Sequence, residues 1–579
     1  MFLFRQKTFE IQACRKGRWT IEQTAADAAD AETAAKALFH KLKDIEAVRV
    51  VLDGPGDKVV FEQKKPTGAA PLVVPQIEEA PVCTGTEDLY GPGARKVVNR
   101  LFRQYLDRAM LTPTEIMHNG REMKRLMDFE SIVQTAIDRV ARVQKAPASK
   151  DDAAKTTAAN PADEARGRRD ELWKMVEGVS QRARAADKLQ LPTIATVGFD
   201  EAVKFVCKSA KPDELKFMLR CVFSRELSNT RSWYGKLSQV LEWTNSSRES
   251  AGLVLLDDFI SDTLASPQLI QDILGQQPSL ADALIKLLDI ADGTYKGPSK
   301  GQAAEMAGLE EMLCRLMKTG RLPASRDILV ERVRGELRGG NPLARNNPDT
   351  ELTRFDEIVE RVLLDSGVAG GVGMAEALVT RATSFLNVGG AGGQRDAVIW
   401  LTGRCPTTLA TAHFLLAMAG SKLAPALQDV PATRLEALVG EITDLTYLVG
   451  GEASPIAQLK SVTTLFRAVD SCLGLAPESI KAITGRLDDL LFDYVVRGKI
   501  VEQMDNPAWK LHTRAFMLLQ LCTPEVLPNG KTINVARKAV VNHLRRPNFE
   551  VELVTGMDAE MRDKTLLQFH HLLKAGGFR

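Results

Sequence analysis

From about Pro92 to Arg579, apolar residues recur at three- and four-residue intervals almost without a break, the spacing that lines one face of an α-helix. Each such face must be covered, so a chain patterned this way over so long a span has to stack helices on helices. The clearest stripes are Leu280, Ala283, Leu284, Leu287, Leu288, Ala291 and Leu459, Val462, Phe466, Val469, Leu473. Thr112-Pro113 followed by Glu115 has the form of a capping box, in which threonine caps, proline takes the first turn and glutamate reaches back. Ser266-Pro267, Ser454-Pro455, Asn506-Pro507 and Thr523-Pro524 repeat the pairing of cap and first-turn proline, and Ser279 with Asp282 gives a version without proline. Helix-pair starts near Cys405, Ser454 and Asn506 are evenly spaced, but no residue-level repeat of a named solenoid accompanies them. The expected fold is therefore mostly α, a large irregular multi-helix bundle or solenoid-like array preceded by a small N-terminal module.

Residues 1–64 follow a different period. Phe9 to Cys14 and Trp19 to Thr24 alternate in polarity about the turn Lys16-Gly17-Arg18, a helix is expected over Ala31 to Leu42, and Ala47 to Leu52 and Val59 to Glu62 flank the turn 53–57. The order ββαββ gives a one-layer α+β sheet with one helix on it, suited to an accessory or docking role. Residues 65–93 read as a linker because Pro66, Pro71, Pro75, Pro81 and Pro92 recur there. A basic helical segment is expected over 94–145 and a flexible linker over 146–165, where the tract 146–160 lacks large apolar residues. Residues 166–579 would hold the helical domain or domains, with subdivision near 338–350 or 389–404. A mass of 63.5 kDa implies two to four folded units.

Lys plus Arg number 76 against 74 Asp plus Glu, so the whole-chain field recruits neither nucleic acid nor an anionic membrane, and such a partner needs a local patch. The eight cysteines stand singly without a C-x-x-C, which fits reduced thiols and a cytoplasmic protein of bacterial type. The apolar run at Phe2-Leu3-Phe4 is too short for a signal peptide, and Cys405 to Ser421, free of charge but holding Pro406 and His413, reads as a buried core helix and not a membrane span.

Glu115 and His118 match the E-x-x-H spacing of carboxylate di-iron bundles, but such a site needs two of these pairs, and Glu115 is already assigned to its cap. No H-x-x-x-H occurs; His413 reads as a hydrogen-bonded core histidine, and of His570 and His571 one is expected in the core and one in solvent. The glycine-rich stretches 367–373 and 389–395 lack the Walker spacing and read as helix caps. Asp257-Asp258 and Asp488-Asp489 read as solvated helical faces, with Arg486 and Arg497 at ion-pair spacing from Asp489 and Asp493. No catalytic, cofactor or metal residue is assigned.

What remains is charge. Between Ala94 and Arg125 eight basic residues face three acidic ones, with Lys96, Arg100 and Arg103 on the polar face of a helix whose other face holds Val98, Leu101 and Tyr105. Val526 to Phe549 carries Lys531, Arg537, Lys538, Arg545 and Arg546 and no acid; Ile533, Ala536, Val540 and Leu544 form the inward stripe there, and Pro547 stops the helix. These eight residues are the candidate contacts for a partner. The reading is a non-enzymatic cytoplasmic scaffold, adaptor or regulatory protein working through helical contacts with other proteins. The alternatives are a nucleic-acid-associated regulator using the basic helices, and an enzyme of helical fold whose site is dispersed in sequence. No pattern fixes an oligomeric state.

Overall fold

The computed structural model describes residues 8–15, 18–41, 45, 47–52, 58–64, 72–144, 161–297, 304–345, 347–450 and 454–578. The N-terminal module contains β1 (Phe9–Arg15), β2 (Arg18–Ala25), α1 (Ala28–Lys41), β3 (Ala47–Leu52) and β4 (Lys58–Lys64), in the antiparallel order β2-β1-β3-β4. Period-two alternation places Ile11 and Ala13 opposite Val50 and Val48 on one face, where Ala31 and Ala35 of α1 cover them. Small alanines let the helix lie close to the sheet. On the other face the Arg49 guanidinium stacks 4.3 Å from the Trp19 ring centroid and donates to Gln12 Oε1 at 2.8 Å, while Cys14, Ala47 and Val51 on the same face are buried.

The chain divides into two compact units, one made of residues 1–109 and 121–181 and the other of residues 110–120 and 182–579. Helix dominates both beyond residue 91. In the first unit, residues 72–85 form neither helix nor strand, yet Val74, Ile77 and Cys83 are buried. Arg168 donates to the Cys83 carbonyl at 2.6 Å and to Gln144 Oε1, and the Val73 N–H donates to Gln104 Oε1 at 2.9 Å. This part of the proline-rich stretch is thus strapped onto helices, its carbonyls held by side chains because no secondary structure satisfies them. Residues 65–71 and the tract 146–160 lie outside the described residues.

The second unit has one continuous core reaching from Ile194 to Phe569. Its helices Leu215–Leu227, Ser250–Leu264, Pro323–Arg338, Gly371–Leu386, Thr408–Ala419, Val430–Glu441, Pro477–Arg497 and Lys531–Leu544 pack each against the next, with others laid alongside. Contacts therefore run between near neighbours in sequence, as in a solenoid, while helix lengths vary too much for a repeat. Thr407, Ser279, Ser454 and Thr112 each cap a helix by accepting an N–H, and the capping box of Thr112 and Glu115 is complete.

Three local expectations are corrected. Asn506-Pro507 and Thr523-Pro524 open turns and not helices: Asn506 Oδ1 accepts from the Ala508 N–H, Thr523 Oγ1 donates back to the Gln520 carbonyl, and the nearby helix starts at Leu511. Leu473 is fully exposed because its helix ends at Asp470, before the stripe reaches it. Leu544 is also exposed, and buried His543 takes the last inward position of its helix. The stretch Gly367 to Gly373 forms the hairpin of β5 (Leu363–Leu364) and β6 (Gly367–Val368) and then a helix start, with Gly370 at φ +78°.

Candidate functional site

The two basic segments fall in different units. In the first, Lys96 and Arg100 are exposed on the Pro92–Leu101 helix, but Arg103 is engaged, its guanidinium forking onto Asp107 at 2.6 and 3.0 Å and reaching Asn99 at 2.7 Å. Arg95 is buried, and Arg125 is bound to Glu122. Arg103 and Arg125 are thus each tied to an acid about one turn away.

In the second segment two of the five cations have structural roles. Lys531 pairs with Asp489, and its backbone N–H donates to Asp488 Oδ2 at 2.8 Å; Thr532 adds Oγ1 to Asp488 Oδ1 at 2.6 Å. Asp488 thus caps the Lys531–Leu544 helix from its neighbour, which corrects its reading as a solvated carboxylate. Arg537 lies half-buried with Nη2 on the Gly576 carbonyl at 3.0 Å, tying in the end of the last helix. Lys538, Arg545 and Arg546 are exposed and make no ion pair with a described residue.

The acid-base candidates of the interior are joints between helices. Asp257, also expected in solvent, is buried and accepts from the N–H groups of Ala324 at 2.7 Å and Ser325 at 3.0 Å, capping the Pro323–Arg338 helix. Burial pushes its carboxyl above the usual range, against the lowering effect of those bonds. Asp258 pairs with Arg220 at 2.5 Å. Fully buried Lys236 bonds to Glu115 and donates to the Leu227 carbonyl at 2.6 Å, while Glu115 Oε2 accepts the Thr112 N–H at 2.8 Å. Lys286 and Glu310, both buried, lie 2.9 Å apart, with the Ile273 carbonyl and the Tyr295 ring completing the lysine's surroundings. The sequence separation of 121 between Glu115 and Lys236 explains why no sequence pattern pointed to that pair. Asp262 was missed likewise; it accepts Thr114 Oγ1 at 2.6 Å.

His413 is buried with Nε2 unpartnered among the described residues, and burial lowers its pKa although the charge of Asp365, and then its backbone, oppose this. His570 and His571 are both exposed, because Phe569 between the helical turns is the side chain that enters the core. Arg486 donates to the Ile442 carbonyl, and Arg497 pairs with Asp493 at 3.3 Å as its spacing implies. Burial pushes the thiols of Cys221 and Cys522 up to about 12 and those of Cys314 and Cys405 to about 11, which keeps them protonated near neutral pH.

A cleft of about 530 Å³ opens between the Thr408–Ala419 and Val430–Glu441 helices. Arg434 and Glu441 stand at its rim, Leu415 and Leu438 line it, and threonines supply its hydroxyls. Three of those four hydroxyls are committed: Thr402 Oγ1 donates to the Ile399 carbonyl, Thr407 Oγ1 bonds Asp365 and accepts the Ala410 N–H, and Thr411 Oγ1 donates to the Thr407 carbonyl. Cys405 is its one thiol, and no histidine lines it. Such a cleft can hold a ligand but offers no activated nucleophile with a base beside it. Among the described residues, no group of three His, Cys, Asp or Glu side chains could hold a metal ion. No family model, curated protein or solved structure matches the chain.

Proposed function

We propose that this chain is a helical scaffold or adaptor, cytoplasmic and without catalytic chemistry of its own, that works by binding other proteins. The observation that carries this reading is the use made of the buried ionisable groups in the second unit: Asp257, Glu115, Lys236, Lys286 and Glu310 are each bonded across helices and none lines the cleft. Groups spent on holding a serial helical array together leave its solvent faces as the means of action. The absence of a described helix long and apolar enough to cross a membrane is compatible with that setting. In-cell cross-linking with a lysine-reactive reagent, followed by peptide identification, tests it. The expected result is peptides of another protein joined to exposed lysines of residues 182–579; recovery of the chain linked only to itself overturns the reading.

A second reading keeps one specific observation in its favour. Lys538 in the middle of the Lys531–Leu544 helix and Arg545 and Arg546 at its end stand exposed and without an ion pair to a described residue, and three phosphate contacts would give duplex DNA binding a log-log salt slope of about −2.7. Replacing the three by Gln should then abolish most binding, and an absence of binding by the unmodified chain at low salt removes this alternative.

A further inference from the structure

The last helix, Ala559–Ala575, sends Phe569 into the core against Phe516 and Phe549, and Asp558 caps its start by accepting the Met561 N–H at 2.8 Å. Its opposite face is exposed throughout. That face carries Glu560, Asp563 and Lys564 in its first half, Leu567 at its centre and His570, His571 and Lys574 in its second half, at the three-, four- and seven-residue spacing of a single helical side. Leu567 is 74 % exposed. Glu560, Asp563 and Lys574 have no ion-pair partner among the described residues, and His570 approaches only Glu550, at 3.8 Å.

Glu560 and Asp563 near the start and Lys574 near the end suit the helix macrodipole, but that does not account for a large apolar side chain standing bare between them. The face is instead complementary to itself when inverted. Glu560 and Lys574 lie seven residues to either side of Leu567, about 10.5 Å along the axis in each direction. We propose that a second copy of this chain packs on this face, the two helices running antiparallel about a two-fold axis at Leu567. Leu567 then meets Leu567, each Glu560 meets the other copy's Lys574, each Asp563 faces the other copy's His571, and each Lys564 faces its His570. A parallel pair would set Glu560 against Glu560 and is excluded by repulsion. The contact is isologous and closes at two copies. One helix face buries less than a standard interface, so the dimer is weak, with a dissociation constant on the order of tens of micromolar or above. This inference is independent of the scaffold reading, since either can fail alone.

Analytical ultracentrifugation of the full chain at low salt tests it, with circular dichroism to confirm that each variant is folded. The unmodified chain should show a concentration-dependent monomer–dimer equilibrium, and Leu567→Glu should remain monomeric. Glu560→Lys or Lys574→Glu alone should weaken dimerisation about tenfold or more, because attraction is replaced by repulsion at two symmetric places. The combined Glu560→Lys and Lys574→Glu chain should recover to within about threefold of the original. A chain monomeric at every concentration, or a folded double variant that fails to recover, overturns the proposal.

Discussion

Lys236→Met should unlock one end of the second unit. In the native chain the Lys236 ammonium is fully buried and bonded to Glu115 and to the Leu227 carbonyl, and Glu115 also completes the cap at Thr112. Methionine fills similar volume but leaves the Glu115 carboxylate without its counter-charge, and removing one partner of a buried ion pair costs about 3–5 kcal/mol. At about 1.4 kcal/mol for each factor of ten, amide hydrogen exchange in the Pro113–His118 and Trp233–Ser246 helices should accelerate by roughly two orders of magnitude or more, provided exchange proceeds through openings that break this pair. Adding Glu115→Gln removes the stranded charge while an amide oxygen keeps the cap, so the double variant should regain most of the protection. Mass-resolved exchange on those two peptides is the assay. Unchanged protection in Lys236→Met, or a double variant no better than the single one, would refute the claim that residues 110–120 are anchored inside this unit by charge.

His413 should make stability acid-sensitive. Burial holds its folded pKa below the unfolded value of about 6.5, so its share of stability is complete above that pH and is lost as pH falls through it toward the folded value; His413→Leu should flatten the dependence of melting temperature on pH between about 7 and 5. Native alkylation should modify exposed Cys207 first and spare Cys221, Cys314 and Cys522 until denaturant is added, as mapped by peptide mass. Leu473→Asp should leave stability within about 0.5 kcal/mol of the original, whereas Val469→Asp, at a fully buried position of the helix that ends just before it, should cost more than about 3 kcal/mol in chemical denaturation.

Period and caps carried most of the architecture into view. The alternation from Phe9 to Cys14 and from Ala47 to Leu52, and the box at Thr112 to Glu115, are local signals with one structural solution each. Proline after a cap-forming residue proved less decisive: Ser454-Pro455 starts a helix, with Ser454 Oγ accepting the Ala457 N–H three residues on, while Asn506-Pro507 opens a turn, with Asn506 Oδ1 accepting the Ala508 N–H only two residues on. Leu473 kept the period after its helix had stopped. The carboxylates were the hardest to read. Asp257 and Asp488 look like surface charge in sequence and are helix caps in space, because the N–H groups they accept come from helices 67 and 43 residues away. The basic patches show the opposite limit: composition counts Arg103, Lys531 and Arg537 simply as charge, and only the fold shows their contacts with Asp107, Asp489 and the Gly576 carbonyl.

The size of the chain in its own cells bears most directly on the reading as a scaffold. Gel filtration of a nuclease-treated native lysate, with the chain located by antibody, should place it in a complex well above the position of the purified 63.5 kDa protein run under the same conditions. Elution of the two at the same position would contradict a function built on binding other proteins.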